Sequence, residues 1–221
     1  QPLSPMGEFT PRGNHIPTPG ASSIVPCPRG GHTANLVGDN IVIFGGYGGM
    51  GYGRRDFNDI FRFNISKYEW RKVPPIKGKV PEPRSGHSSS VVQGRLFVYG
   101  GWNAQAQFSN LYVLDFQKDQ WTWEETELEL GASRWCHSAI GVAAIPNWRL
   151  FIFGGSTGMM NERNTKSSFT NDTIVLDCGS MTIQKPDIVG EPPLPRADTE
   201  MVYDSKNSRI LMFGGWANEW Y

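Results

Sequence analysis

Residues 41–56 read IVIFGGYGGMGYGRRD, an apolar run that ends in a glycine-rich segment. Gly46-Tyr47-Gly48-Gly49-Met50-Gly51 spells G-x-G-x-x-G. That pattern marks a dinucleotide-phosphate loop when a helix follows it. No helical period follows. Residues 52–64, YGRRDFNDIFRFN, end in the alternation Ile60-Phe61-Arg62-Phe63-Asn64, which is a strand pattern. The same arrangement then returns. RLFVYGG (95–101), RLFIFGG (149–155) and RILMFGG (209–215) each close an apolar run on a glycine pair. A phosphate loop is made once; a loop made four times is architecture, and the dinucleotide reading is set aside.

The pairs are Gly45-Gly46, Gly100-Gly101, Gly154-Gly155 and Gly214-Gly215, and other elements recur in phase with them. Upstream lie CPRGGHTANLV (27–37), EPRSGHSSSVV (82–92), ASRWCHSAIGV (132–142) and LPRADTEMVYD (194–204). Downstream lie FNDIFRFN (57–64), SNLYVLD (109–115) and TNDTIVLD (170–177). Trp70 and Trp121 close the first two units, and the third has CGSMTIQKP there. Each unit therefore reads as four short strands: A after the Pro-Arg turn, B into the glycine pair, C after the Asn-Asp turn, and D with the tryptophan.

This pattern resembles the kelch repeat, over nearly everything from Cys27 to Tyr221. Departures are the missing tryptophan of unit three and Thr199 where the other units have His. The resemblance implies an all-β fold, a kelch-type β-propeller in which each unit is a four-stranded blade. The expected segment is partial. It comprises blade 1 (27–73), blade 2 (81–126), an atypical blade 3 (131–185) and the first half of blade 4 (194–221). Residues 1–26 are proline-rich without alternation, and are expected to be an extended arm with only Ser22 to Val25 apolar enough for a strand. The ring is incomplete, so the 221 residues are expected to be part of a longer chain. The glycine pairs suit a sharp turn that excludes a Cβ. Arg29, Arg84, Arg134 and Arg196 are expected to tie blade to blade through hydrogen bonds to backbone carbonyls.

Composition narrows the functions. The formal net charge is zero, which removes the electrostatic footprint of a nucleic-acid binder or a basic membrane-surface domain. Glycine (26) and proline (16) favour a turn-rich β protein. No apolar run approaches the ~18 residues of a membrane span, and no signal-peptide h-region is present. Cys27, Cys136 and Cys178 are odd in number and lack C-x-x-C spacing, so free thiols in a reducing compartment are expected. Two N-x-S/T sequons, at Asn64 and Asn171, are weak signals.

Strand topology places the B–C and D–A connections on one face and the short A–B and C–D turns on the other. The B–C loops differ from each other, as expected for a scaffold that presents a binding face. Candidate partner-binding residues are Tyr47, Tyr52, Arg54, Arg55, Trp102, Phe108, Met159, Met160, Arg163, Lys166 and Trp216. Tyr, Trp, Met and Arg are the types enriched at interface cores. The competing role for Tyr47, Trp102 and Trp216 is packing against the next blade; for Arg54-Arg55, whose glycine neighbours suggest a mobile loop, it is solvation. His32, His87 and His137 share one repeat position, which points to a structural role, and His15 lies in the arm. Cys136 and His137 are neighbours on a strand and face opposite ways.

The expected function is a protein-protein interaction or scaffold module, with no cofactor, no metal, no catalytic residue and no small-molecule substrate. Kelch-fold enzymes (a copper oxidase, a sialate mutarotase and iron-dependent specifier proteins) set the alternative, with a site completed by further blades. A docking or spacer domain is the third reading. The resemblance also implies contexts: ubiquitin-ligase adaptors, actin-associated and nuclear scaffolds, and axonemal dynein heavy chains. The expected partners are proteins, cytoskeletal ones (actin or a microtubule and dynein assembly) among them. The expected location is intracellular, cytoplasmic or cytoskeletal, with cilia included.

Overall fold

The computed structural model describes residues 25–49, 51–117, 120–143, 147–157 and 168–217, and of Tyr52 the backbone alone. The arm, apart from Val25 and Pro26, lies outside them. The first unit contributes Arg29–Gly30 (β1), Thr33–Val37 (β2), Asn40–Phe44 (β3), Tyr47–Gly48 (β4), Arg55–Asp56 (β5), Ile60–Asn64 (β6) and Glu69–Lys72 (β7). β2-β3-β6-β7 form one antiparallel sheet, and β1-β4-β5 form a small one at its glycine end. The second unit has Lys77–Gly78 (β8), Ser88–Val92 (β9), Arg95–Tyr99 (β10), Leu111–Asp115 (β11) and Thr122–Glu125 (β12), in the order β8-β12-β11-β10-β9. The third has Ser138–Ala143 (β13), Trp148–Phe153 (β14), Thr173–Asp177 (β15) and Thr182–Gln184 (β16). The fourth pairs Arg196–Asp204 (β17) with Arg209–Ala217 (β18). The structure is an all-β segment of kelch-propeller type. No helix among the described residues is long and apolar enough to cross a membrane.

The period-2 alternation of each strand sends one set of side chains to each neighbouring blade. Val42, Phe44 and Ile60 of blade 1 meet Leu96, Val98, Tyr112, Leu114 and Trp123 of blade 2. The opposite face of blade 2, with Val92, Phe97, Tyr99, Leu111 and Val113, meets Leu150, Ile152, Leu176 and Cys178 of blade 3, and Leu130 of the connecting segment seals that core. Trp123 rather than Trp121 takes the position of Trp70. Trp70 lies opposite Phe63, and Trp123 opposite the matching Leu114. The turn between β11 and β12 is two residues longer than that between β6 and β7, which a gapless alignment hides. Trp121 instead packs edge-on to Phe116, with centroids 4.7 Å apart.

All eight glycines of the four pairs have positive φ, from 65° to 98°. The second glycine of each of the first three pairs donates its N–H to the next blade's arginine carbonyl. The bonds are Gly46 to Arg84 (2.9 Å), Gly101 to Arg134 (2.8 Å) and Gly155 to Arg196 (2.8 Å). The arginine side chains work differently from expectation, because they stay within their own blade. Arg29, Arg84, Arg134 and Arg196 donate to the carbonyls of Gly45, Gly100, Gly154 and Gly214 at 3.0–3.1 Å. The blade-to-blade bond belongs to the arginine backbone, and the guanidinium braces the turn behind it.

Nearer the axis a second track runs across the blades. Gly86 N–H donates to Gly31 C=O, Cys136 N–H to Gly86 C=O, and Asp198 N–H to Cys136 C=O, at 2.7–2.9 Å. All four residues sit at φ between 54° and 63°. Cys136 and Asp198 thus hold a conformation that costs a side-chain-bearing residue on the order of 1 kcal/mol.

The histidines close the same junctions. Thr33 Oγ1 and His87 Nε2 are 3.1 Å apart, and Ser88 Oγ and His137 Nε2 are 2.7 Å apart. Both rings are buried, and burial, followed by the charge of the neighbouring arginine, pulls each pKa down to about 3. The folded protein keeps them neutral, whereas the unfolded chain protonates them below pH ~6.5. Their contribution is fully present above pH ~6.5 and is lost as pH falls towards about 3. With two protons taken up on unfolding, stability should fall by about 2.7 kcal/mol per pH unit in the middle of that window. Urea midpoints measured from pH 7.5 down to 5 should drop steeply, and a His87→Gln, His137→Gln variant should flatten the profile. A wild-type midpoint that does not change over this range would refute the neutral-imidazole assignment.

Candidate interaction face

Beyond each glycine pair, strand B runs on for a residue or two and pairs with the approach to strand A. This builds one rung per blade: Gly30 opposite Tyr47, Ser85 opposite Trp102, Trp135 opposite Ser156, and Ala197 opposite Trp216. Each rung carries one large aromatic and one small residue. In blade 3 the two exchange sides, so Trp135 takes the role that Trp102 has in blade 2. Trp102 reaches the inner track: a Cβ placed on Gly86 would lie 3.3 Å from its indole nitrogen and 3.5 Å from Cys136 Sγ. Tyr47 and Trp216 are 43% and 60% exposed, enough for either to be met from outside. Sequence reasoning missed Trp135; its signal was the small Ser156 following the third glycine pair, where the other three units have an aromatic.

The first B–C connection is better ordered at its base than its glycines suggest. β4 pairs with both β1 and β5, and Gly49 N–H donates to Pro28 C=O at 3.1 Å. A Cβ on Gly48 would run into the Pro28 carbonyl, so glycine there serves close backbone approach. Arg54 and Arg55 are exposed, and the Arg55 guanidinium lies 5.4 Å from the Phe57 centroid. Asp56 is turned inward and accepts from Ser85 Oγ of blade 2 at 3.1 Å.

Phe108 departs from expectation. It is buried, with the Arg84 guanidinium 4.1 Å above its ring, just as Arg29 lies 4.1 Å above Phe57. Both phenylalanines are the floor on which the bracing arginine rests, so Phe108 presents no surface to a partner. Met159, Met160, Arg163 and Lys166 lie outside the described residues, as does the side chain of Tyr52. Cys136 offers no reactive thiol, because burial and the Asp198 carboxylate push it up to about 12. Among the described residues no three His, Cys, Asp or Glu side chains converge as a metal site would need.

On the same face a cleft of about 640 Å³ opens between blades 1 and 2. Ile60, Val73, Pro75, Ile76, Val80 and Trp123 line it, with Asn58 and Asp59 at its rim. Its wall is the D–A connection, held by Asn58 Nδ2 donating to Pro81 C=O at 3.0 Å. Asp59 is already engaged by Arg29, so the cleft is chiefly an apolar concavity.

The relatives of this chain are parts of long proteins. It is 32% identical over 208 residues to "Dynein alpha chain, flagellar outer arm" of Chlamydomonas reinhardtii, covering 88% of this chain and 4% of that one. It is 30% identical over 202 residues to "Host cell factor" of Drosophila melanogaster, covering 82% of this chain and 12% of that protein. Against "Host cell factor 2" of Homo sapiens the identity is 28% over 217 residues, with 90% and 26% covered. The chain thus spans well under a third of each. The family model for the KLHDC2/KLHL20/DRC7 Kelch-repeats domain matches residues 8–155. With the glycine-pair turns and stacked four-stranded blades described above, that match makes the chain a member of the kelch-repeat family.

Proposed function

We propose that this segment is a protein-protein interaction module that binds its partner through the face of the B–C and D–A connections. One observation carries the reading: four successive blades each place a large aromatic at the same rung, on the face that also carries the exposed Arg54 and Arg55 and an apolar cleft. A stack of identical turns needs none of these side chains on its rim. Aromatic and arginine side chains sharing a face with an apolar concavity are what a protein interface uses. The exposed guanidiniums favour a partner segment that brings carboxylates alongside its apolar residues. We read the segment as a binding module rather than an enzyme, in keeping with its kelch-repeat family match.

The wider setting is a large multi-domain assembly inside the cell, and the relative named as a flagellar dynein chain favours a cytoskeletal or ciliary one. Dynein- and microtubule-associated proteins are the partners to test first, with actin second. In the full-length protein, Arg54→Ala combined with Arg55→Ala and Trp216→Ala should weaken partner binding about thirtyfold, as loss of interface anchors does. Thermal unfolding should stay within a degree or two of the wild type. Unchanged binding, with loss caused instead by substitutions at the outer edge of a blade, would make the segment a spacer. Metal-dependent turnover of a small molecule would make it an enzyme.

A further inference from the structure

We propose that Ile188–Gly190, in the connection between blades 3 and 4, is a docking strand for the outermost strand of blade 4, supplied by the same polypeptide. The connection into blade 2, PPIKGKVPEPR (74–84), matches the connection into blade 4, PDIVGEPPLPR (186–196), without a gap. Both connections span eleven residues between strand D and the next bracing arginine, 73–83 and 185–195, whereas that into blade 3 has eight, 126–133. The two longer connections are also anchored alike. Asn58 donates to Pro81 C=O and Asn171 to the matching Pro193 C=O, each at 3.0 Å. Arg84 N–H donates to Phe57 C=O (3.1 Å), and Arg196 N–H to Thr170 C=O (3.2 Å).

What the first copy does is visible. β8 lies parallel to β12 as a fifth strand outside blade 2, with Lys77 beside Thr122 and Gly78 beside Trp123. Lys79 N–H then donates to Trp123 C=O at 3.2 Å. Gly78, at φ 92°, lets the two backbones meet: a Cβ there would run into the Trp123 carbonyl. Ile76 packs against the core between blades 1 and 2. Lys79 Nζ pairs with Glu125 Oε2 at 2.7 Å, which fastens the strand from its far end.

The second copy has the same anchors and, among the described residues, no strand partner. Gly190 sits at φ 85°, and no atom lies within 4 Å of where its Cβ would be. Ile188 and Val189, in the places of Ile76 and Lys77, are 56% and 95% exposed. An apolar segment whose backbone pairs with no strand among the described residues is a strand-pairing edge. In blade 2 two strands, β11 and β12, separate β10 from β8. By the same spacing, the position between β18 and Val189 accepts a two-stranded hairpin, antiparallel to β18 on its inner side and parallel to Ile188–Gly190 on its outer side. Leu211 and Phe213 of β18, 45% and 85% exposed, are the surface on which that blade would be completed.

The test is amide hydrogen exchange on the purified full-length polypeptide, with Lys79 as internal reference. Glu191 N–H, the counterpart of Lys79 N–H, should exchange as slowly as Lys79, to within about tenfold. Gly190→Val should then speed exchange at Glu191 at least tenfold and leave Lys79 unchanged, since a Cβ there blocks the close approach. Fast exchange at Glu191 beside slow exchange at Lys79 overturns the proposal, and so does an indifferent Gly190→Val. Slow exchange that appears only when a partner protein is added also overturns it, because the docked strand would then come from another chain.

Discussion

Gly100→Val should cost about 4 kcal/mol and unfold the second blade at temperatures where the wild type is intact. Two effects add. The residue sits at φ 65°, where a β-branched side chain is strained. Its Cβ would also lie 2.5 Å from the Arg134 carbonyl and 3.0 Å from His137 Cε1, both part of the next blade. The carbonyl is fixed by Gly101 N–H and the ring by Ser88, so neither yields cheaply. Gly38→Val is the control. It has φ 56° but an empty surround, so only the dihedral strain of about 1–2 kcal/mol remains. Urea denaturation of the two variants should separate them clearly; equal losses would mean that the close packing at Gly100 contributes nothing.

Arg84→Ala should be as damaging, at about 4 kcal/mol. This side chain is fully buried. It donates to the Gly100 carbonyl (3.0 Å), the Glu82 carbonyl (3.0 Å), Glu82 Oε2 (2.7 Å) and Asn110 Oδ1 (3.3 Å), and stacks between Phe108 and Tyr112. Burial works against its charge, and the Glu82 carboxylate opposes that effect. Arg84→Lys keeps the charge but loses the fork that reaches these acceptors together, and should still cost about 2 kcal/mol. Stability of Arg84→Lys equal to wild type would show that charge alone suffices. In blades 1 and 3 the arginine faces Asp59 and Asp172, whereas blade 2 has Asn110 at that place. The amide is required there because its Nδ2 donates to Glu125 Oε1 at 2.7 Å. A carboxylate at 110 would meet Glu125 head-on, so blade 2 draws its counter-charge from Glu82 instead.

The repeat was legible because its signals are local. A positive φ at the end of strand B demands glycine, and an Asn-Asp turn before strand C demands short polar side chains, so both leave residues at fixed offsets. What escaped notice depends on pairing across distance. Trp135 carries the blade 3 rung from the A side, and only its pairing with Ser156 shows that the aromatic has changed strands. Trp123 was overlooked because a longer turn moves the register by two residues. β8 is two residues long, has no alternation, and finds its partner some 45 positions away. The arginine side chains point back into their own blades, where those of Arg29 and Arg84 rest on Phe57 and Phe108, a pairing that sequence order does not announce. Phe108 looked like a binding residue because its loop is variable, yet its ring is the seat of Arg84.

The inner track of Gly31, Gly86, Cys136 and Asp198 has a mechanical consequence. Its hydrogen bonds lie in series from blade to blade, so a pull applied across the segment loads every junction equally, and the least reinforced gives way first. The first two junctions add a histidine clasp and a shared apolar core to the track. At the third, Thr199 replaces the histidine, and its buried hydroxyl finds no hydrogen-bond partner among the described residues. Under tension the segment therefore parts between blades 3 and 4, leaving three blades as one unit and making the seam before Arg196 the fuse of the structure.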